Sequence, residues 1–153
     1  MRTTSEQPRR VLVVCKGNYC RSPLAALLIG ALSDGAIVAK SAGLRGWHVG
    51  DPAHAFMVSA AAGLGYDLTE HTGADLTPEL IDWATDLVAV DDETAHDLAE
   101  RAPGHSVFVL GGGIADPYGE RLDVFVTTAS QIEEAARAYV ATVAAEQPAT
   151  PAG

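Results

Sequence analysis

The two cysteines of the chain, Cys15 and Cys20, lie in one short segment: Cys15-Lys16-Gly17-Asn18-Tyr19-Cys20-Arg21-Ser22-Pro23. Placed between a strand and a helix, that segment is an anion receptor carrying its own nucleophile. Its backbone N–H groups can turn inward, and the helix N-terminus adds about half a positive charge. Gly17 and Asn18 tolerate the positive φ that a tight anion-binding turn often uses. The same field favours a thiolate at Cys15. Arg21 can offer two parallel N–H bonds to a phosphoryl group. The expected phosphate cradle is therefore Lys16, Gly17, Asn18, Tyr19, Cys20, Arg21 and Ser22. Taken alone, Cys15 reads more readily as a buried packing residue, since free cysteine is commonly buried. The spacing alters that balance. Five residues separate Cys15 from Arg21, a serine follows, and a helix start follows that.

A second constellation, Asp116-Pro117-Tyr118-Gly119, comes after the glycines Gly111 to Gly113. In isolation it is an ordinary Asp-Pro turn.

The elements that must position these residues are legible. Val11 to Cys15 is a continuous apolar run, as in a buried strand. Ser22-Pro23 opens a helix through Leu32, since proline suits the first helical turn. Strands are expected at 36–40, 86–90 and 106–110. Helices are expected at 53–64, from Thr77-Pro78, at 92–101 and at 123–145. Residues 1–9 read as a flexible lead-in and 146–153 as a frayed tail, leaving one domain over 10–145. Strands alternating with helices imply an α/β fold: a single-domain, three-layer architecture with a four-stranded parallel sheet covered on both faces. Ligands of such sheets bind at the carboxyl ends of strands, where Cys15 sits.

Bulk properties narrow the partners. The 153 residues suit one domain, and 48% hydrophobic with 20% charged residues is a globular balance, not a disordered one. A net charge of −10 argues against non-specific nucleic-acid binding, although a local phosphate site works whatever the global charge. No apolar run reaches the roughly 18 residues of a membrane span, and the polar segment Met1 to Arg10 lacks the apolar stretch expected of a signal peptide. A cytoplasmic location is the expectation. Two cysteines do not make a disulfide framework, and no metal-ligand spacing joins them to histidines.

CKGNYCRSP resembles the C-x-G-N-x-C-R-S-P signature of the low-molecular-weight protein tyrosine phosphatases, and the resemblance extends over about residues 10 to 145. Ser41-Ala42-Gly43 with Trp47-His48-Val49-Gly50 and Pro52, Gly65-Tyr66-Asp67-Leu68 with His71, and Asp116-Pro117-Tyr118 resemble further family segments in the same order. The resemblance implies a Rossmann-like phosphatase fold and hydrolysis of phosphate monoesters, above all protein phosphotyrosine, through a phosphocysteine on Cys15. Arg21 would bind phosphate, and Asp116 would be the general acid. Asn18 would support the loop through Ser22, Ser41 and His71; Ser22 read alone is a helix N-cap. Lys16, Tyr19, Trp47, His48 and Tyr118 would form the substrate rim. His54, His96 and His105 read as solvated.

Several positions depart from the family pattern. Lys16 and Tyr19 replace aliphatic or small residues, and Ala25-Ala26 stands where Ala-Glu is common. Thr72-Gly73-Ala74 follows His71 in place of basic residues, and Gly119 follows Tyr118 in place of a second tyrosine. Relatives acting on phosphoarginine typically carry threonine at the Tyr19 position, which disfavours that activity here. A phosphatase of a small phosphorylated metabolite is the alternative. An arsenate reductase would need a distal cysteine, and none follows Cys20. A non-catalytic phosphate-binding module would not need Cys15, Arg21 and Asp116 together. No metal or cofactor is implied. The expected partner is a phosphorylated protein or small molecule, and the expected state a monomer or weak homodimer.

Overall fold

The computed structural model describes residues 7–146. Four strands, β1 (Arg9–Cys15), β2 (Ile37–Gly43), β3 (Asp86–Ala89) and β4 (Val107–Val109), form one parallel sheet in the order β2-β1-β3-β4. Five α-helices connect or follow them: α1 (Arg21–Leu32), α2 (Ala55–Gly63), α3 (Pro78–Trp83), α4 (Asp92–Arg101) and α5 (Leu122–Glu146). The expected three-layer α/β architecture is present.

The centre of the sheet explains the apolar run at its start. β1 lies between β2 and β3, so both of its faces are covered. Val11, Val13 and Cys15 face one core, shared with α1, α2 and α5. Leu12 and Val14 face the other, shared with α3, α4 and the β3 side chains Leu87 and Ala89. The four residues Val11 to Val14 are wholly buried, which is why no polar alternation shows in the sequence. A strand fixed on both faces ends in a well-defined place, and Cys15 is its last residue.

Two expected boundaries shift. Arg9, assigned to the lead-in, begins β1, pairs with Ile37 and forms a two-pronged bond to Asp86 at 2.7 and 2.8 Å. Glu146, assigned to the tail, is the last residue of α5. Residues 1–6 and 147–153, the rest of the expected lead-in and tail, lie outside the described residues. β2 also runs three residues further than its apolar stretch suggests. Ser41, Ala42 and Gly43 stay in register with Val13, Val14 and Cys15, so the ladder and not side-chain pattern extends it.

Candidate active site

The loop from Cys15 to Arg21 turns from the end of β1 into α1. Cys20, not Ser22, is the N-cap residue, and α1 starts at Arg21. Ser22 is thereby free for another bond. Asn18 takes a φ of 55°, the left-handed conformation its short polar side chain tolerates. Gly17 has no positive φ; its small size is what the fold uses, since a Cβ there would come 3.2 Å from His48 Cδ2. Gly43 is more tightly constrained. A Cβ there would meet the Gly17 carbonyl carbon at 2.9 Å and the Asn18 nitrogen at 3.0 Å. The end of β2 thus lies against the back of the loop, and only glycine lets it do so.

Hydrogen bonds orient the Cys15 thiol. The backbone N–H of Asn18 donates to Cys15 Sγ at 3.2 Å, and Ser22 Oγ lies 2.9 Å from the same sulfur. The Asn18 side chain settles which way the hydroxyl points. Its Oδ1 accepts from the Ala74 N–H at 2.8 Å, so its Nδ2 faces Ser22 and donates to Oγ at 2.9 Å. The Ser22 hydroxyl proton is then available to the sulfur. His71 Nε2 lies 3.1 Å from the Asn18 carbonyl oxygen, which can only accept, so Nε2 carries the proton. Burial holds the His71 pKa below its ordinary value, partly opposed by that bond. Asn18, Ser22 and His71 come together in one set of contacts. Ser41 does not: it stays in β2 without a hydrogen bond to Asn18, whose Oδ1 accepts from the Ala74 N–H.

Arg21 is held by a residue that the sequence reading missed. Its Nη1 donates to Asp91 Oδ2 at 2.7 Å and to the Ile114 carbonyl at 2.8 Å. Both Nη1 protons are engaged, which leaves Nε and Nη2 for an anion. Asp91 also caps α4 through Oδ1, which accepts from Thr94 N–H at 2.8 Å. Burial raises the Asp91 pKa, but the bonds from Thr94 and Arg21 outweigh it and hold the carboxyl below its ordinary value. Asp91 carries no signal in the sequence reading, because its partner lies 70 residues away along the chain. Asp116 stands across the opening, half-exposed, with Oδ2 3.6 Å from Arg21 Nη2 and Oδ1 accepting from Tyr118 N–H at 3.1 Å.

Above the sulfur is a pocket of about 290 Å³. Lys16, Tyr19 and Arg21 line it from the loop, with Trp47, His48, Asp116 and Tyr118 around them. Trp47 and Tyr118 are exposed walls. Lys16 does not point a free charge at the mouth, because Nζ pairs with Glu93 at 3.0 Å. His54 is not solvated. Its Nδ1 accepts from Phe56 N–H, capping α2, and its ring packs 4.5 Å from Phe125 and 5.1 Å from Tyr19. Burial, then His48, lowers its pKa. His96 and His105 are exposed. Cys20 is buried beside the site, and burial pushes its thiol up to about 12, aided by Asp116 and Cys15 and opposed by Arg21. Among the described residues, no cluster of three or more His, Cys, Asp or Glu side chains is placed to hold a metal ion, and no helix is long and apolar enough to cross a membrane.

A parallel α/β sheet with a thiol at the foot of an anion cradle is the architecture of a class of phosphatases, and comparison with known proteins agrees. The model of the low molecular weight phosphotyrosine protein phosphatase family matches residues 10–149. A probable low molecular weight protein-tyrosine-phosphatase, EpsP of Ralstonia nicotianae, is 35% identical over 139 residues, covering 86% of this chain and 94% of its own. A protein-arginine-phosphatase of Geobacillus stearothermophilus is 34% identical, with 82% and 90% covered. Among solved structures, the YwlE arginine phosphatase of G. stearothermophilus superposes with a TM-score of 0.84 at 30% identity, covering 92% of this chain and 96% of that one. Vibrio vulnificus Wzb in complex with benzylphosphonate does so with a TM-score of 0.81 at 28% identity, covering 88% and 98%. The chain belongs to the low molecular weight phosphotyrosine protein phosphatase family. It is a cysteine-dependent phosphatase acting on phosphorylated substrates.

Proposed function

We propose that this phosphatase hydrolyses phosphotyrosine in proteins, with Cys15 as nucleophile, Arg21 and the loop N–H groups as the phosphate clamp, and Asp116 as general acid and base. In the first step the Cys15 thiolate forms an S–P bond as the P–O bond to the tyrosine breaks. The Asp116 carboxyl gives its proton to the departing phenolate oxygen. In the second step a water attacks the phosphocysteine, its proton passes to the Asp116 carboxylate, the S–P bond breaks and phosphate leaves. The Ser22 hydroxyl and the Asn18 N–H stabilise the sulfur when it carries charge. Arg21, held by Asp91, meets the phosphoryl oxygens without having to reorganise.

The observation that carries the choice of substrate is the aromatic enclosure above the sulfur. Tyr19, Trp47 and Tyr118 surround the pocket, and aromatic faces suit an aryl ring. Two relatives are named as arginine phosphatases, but the Tyr19 ring fills a place that a smaller residue would leave open for a guanidinium. The phosphatase acts in the cytoplasm as a monomer or weak homodimer. Turnover of a phosphotyrosine peptide, a phosphoarginine peptide, a phosphoserine peptide and a panel of metabolite phosphates tests this reading. The phosphotyrosine peptide is expected to give the highest kcat/KM; a higher value for phosphoarginine or a metabolite would refute the substrate assignment.

A further inference from the structure

Tyr19 is not a free side chain at the mouth. Its ring lies flat on the His48 imidazole, with centroids 3.7 Å apart and planes within 7°. His48 is itself fixed from three sides. Its Nδ1 lies 3.2 Å from Asp51 Oδ2. Its ring packs over Gly17, where a Cβ would come within 3.2 Å of Cδ2. Its carbonyl sits so close to Gly73 that a Cβ there would lie 2.0 Å from the oxygen. The backbone behind it is also pinned, since Gly73 N–H donates to the Asp51 carbonyl at 2.8 Å and Asp51 N–H to the His48 carbonyl at 3.0 Å. On the other side, the Tyr19 carbonyl accepts from His54 N–H at 3.0 Å. The ring is therefore held by a side chain that is held in turn.

We infer that His48 is a positioning residue that sets substrate selectivity by fixing the plane of Tyr19, so that the mouth is a preformed slot for a flat aryl group. Three features of the chain then serve one arrangement. Gly17 suits it, because a Cβ there would crowd the imidazole at 3.2 Å. Gly73, in the Thr72-Gly73-Ala74 stretch that departs from the family pattern, lets the His48 backbone come close, since it is the His48 carbonyl that a Cβ would meet. Tyr19, also a departure, is usable in a phosphate loop because a second ring pins it. Without His48 the Tyr19 ring keeps only tilted ring contacts, to His54 and Tyr118, and can leave the plane it now holds. Ordering it on binding would then cost rotamer entropy. With His48 the cost is met during folding.

The effect falls on aryl substrates. A ring entering beside a fixed Tyr19 meets an ordered aromatic wall, which the Tyr118 ring continues with its centroid 6.2 Å away and its plane tilted by 52°. A flexible guanidinoalkyl chain gains little from that face and meets a wall it cannot displace. The slot therefore favours the aryl substrate and disfavours phosphoarginine together.

This inference deepens the phosphotyrosine reading and rests on it, so the test uses two substrates any member of the family can be assayed with: p-nitrophenyl phosphate and free phosphoarginine. The readout is the ratio of their kcat/KM values. His48→Ala is expected to lower the aryl value roughly three- to ten-fold, the size of one lost aromatic contact, and the phosphoarginine value less, so that the ratio falls. His48→Phe keeps a flat ring and is expected to restore the ratio, whereas His48→Asn keeps a polar partner for Asp51 and is not. In a Tyr19→Thr background His48→Ala should leave the ratio unchanged, because the residue it positions is gone. Equal losses on both substrates in the alanine, asparagine and phenylalanine variants would mean that His48 is merely structural. An undiminished shift of the ratio in the Tyr19→Thr background would mean that His48 meets the substrate directly. Either result overturns the inference. Failure of wild-type protein to favour phosphotyrosine peptides would instead strike the proposed function, and the ratio test would still decide the role of His48.

Discussion

Asp91 offers the sharpest test of how the phosphate clamp is built. Its two carboxylate oxygens do different work: Oδ1 accepts from Thr94 N–H to cap α4, and Oδ2 accepts from Arg21 Nη1. Asp91→Ala removes both. The lost cap costs about 1 kcal/mol. The lost charge-assisted bond leaves the buried Arg21 guanidinium to the Ile114 carbonyl and the longer 3.6 Å approach of Asp116, and costs about 1.5–3 kcal/mol. Asp91→Asn separates the two, because an amide has one oxygen. If that oxygen caps Thr94, the NH2 group faces the Nη1 donors of Arg21 and the ion pair is gone while the helix start survives. Both variants are expected to lower kcat/KM for p-nitrophenyl phosphate about 10- to 100-fold, the same 1.5–3 kcal/mol expressed in the transition state. Urea unfolding should show the alanine variant less stable than the asparagine variant by about the 1 kcal/mol of the cap. Inorganic phosphate should inhibit both more weakly than wild type. A folded Asp91→Ala protein with kcat/KM within about two-fold of wild type would refute the argument that Asp91 aims Arg21.

Asp116→Asn is expected to lower kcat/KM most for aryl phosphates with poor leaving groups, since a good leaving group needs little protonation; a uniform loss of kcat/KM across a leaving-group series would remove Asp116 from the acid role. His71 has a folded pKa below its ordinary 6.5, so its contribution to stability is complete above pH 6.5 and is lost as the pH falls below it. Unfolding midpoints from pH 7.5 to 5 should therefore fall less steeply in His71→Gln, which keeps an N–H for the Asn18 carbonyl, and identical slopes would exclude His71 as a titrating contributor. Peroxide is expected to oxidise Cys15 to a sulfenic acid, which condenses with the Cys20 thiol to a disulfide with loss of water. Because burial pushes Cys20 up to about 12, that closure should be slow, but thiol should restore activity in wild type and poorly in Cys20→Ser. Sulfinic or sulfonic acid on Cys15 beside a free Cys20 thiol would exclude this protection.

The parts of the site that sequence made legible are those written in consecutive residues. The apolar run of β1, the Ser22-Pro23 helix start and the Cys15–Arg21 spacing all act locally, and the sheet class followed from alternation of periodic segments. Positions fixed by partners far along the chain were not legible. Nothing in the residue type or local setting of Asp91 points to Arg21. Ser41 was assigned a bond to Asn18 that Ala74 makes instead, because a backbone N–H leaves no trace in a residue type. His54 looked solvated since its neighbours Phe56 and Phe125 meet only after α2 packs on α5. Gly43 and Gly73 carried no signal of their own, because the close approaches that require them exist only in three dimensions.

The central claim is that turnover passes through phosphorus bonded to the Cys15 sulfur. Intact-protein and peptide mass spectrometry of the Asp116→Asn variant, acid-quenched during hydrolysis of p-nitrophenyl phosphate, tests it most directly. A fast leaving group with the second step deprived of its base should let the intermediate accumulate. One added phosphoryl group is expected on Cys15, absent when Cys15 is also changed to Ser in a protein that still folds and no longer turns over. A phosphoryl group on another residue, or sustained turnover by the folded Cys15→Ser protein, would contradict it.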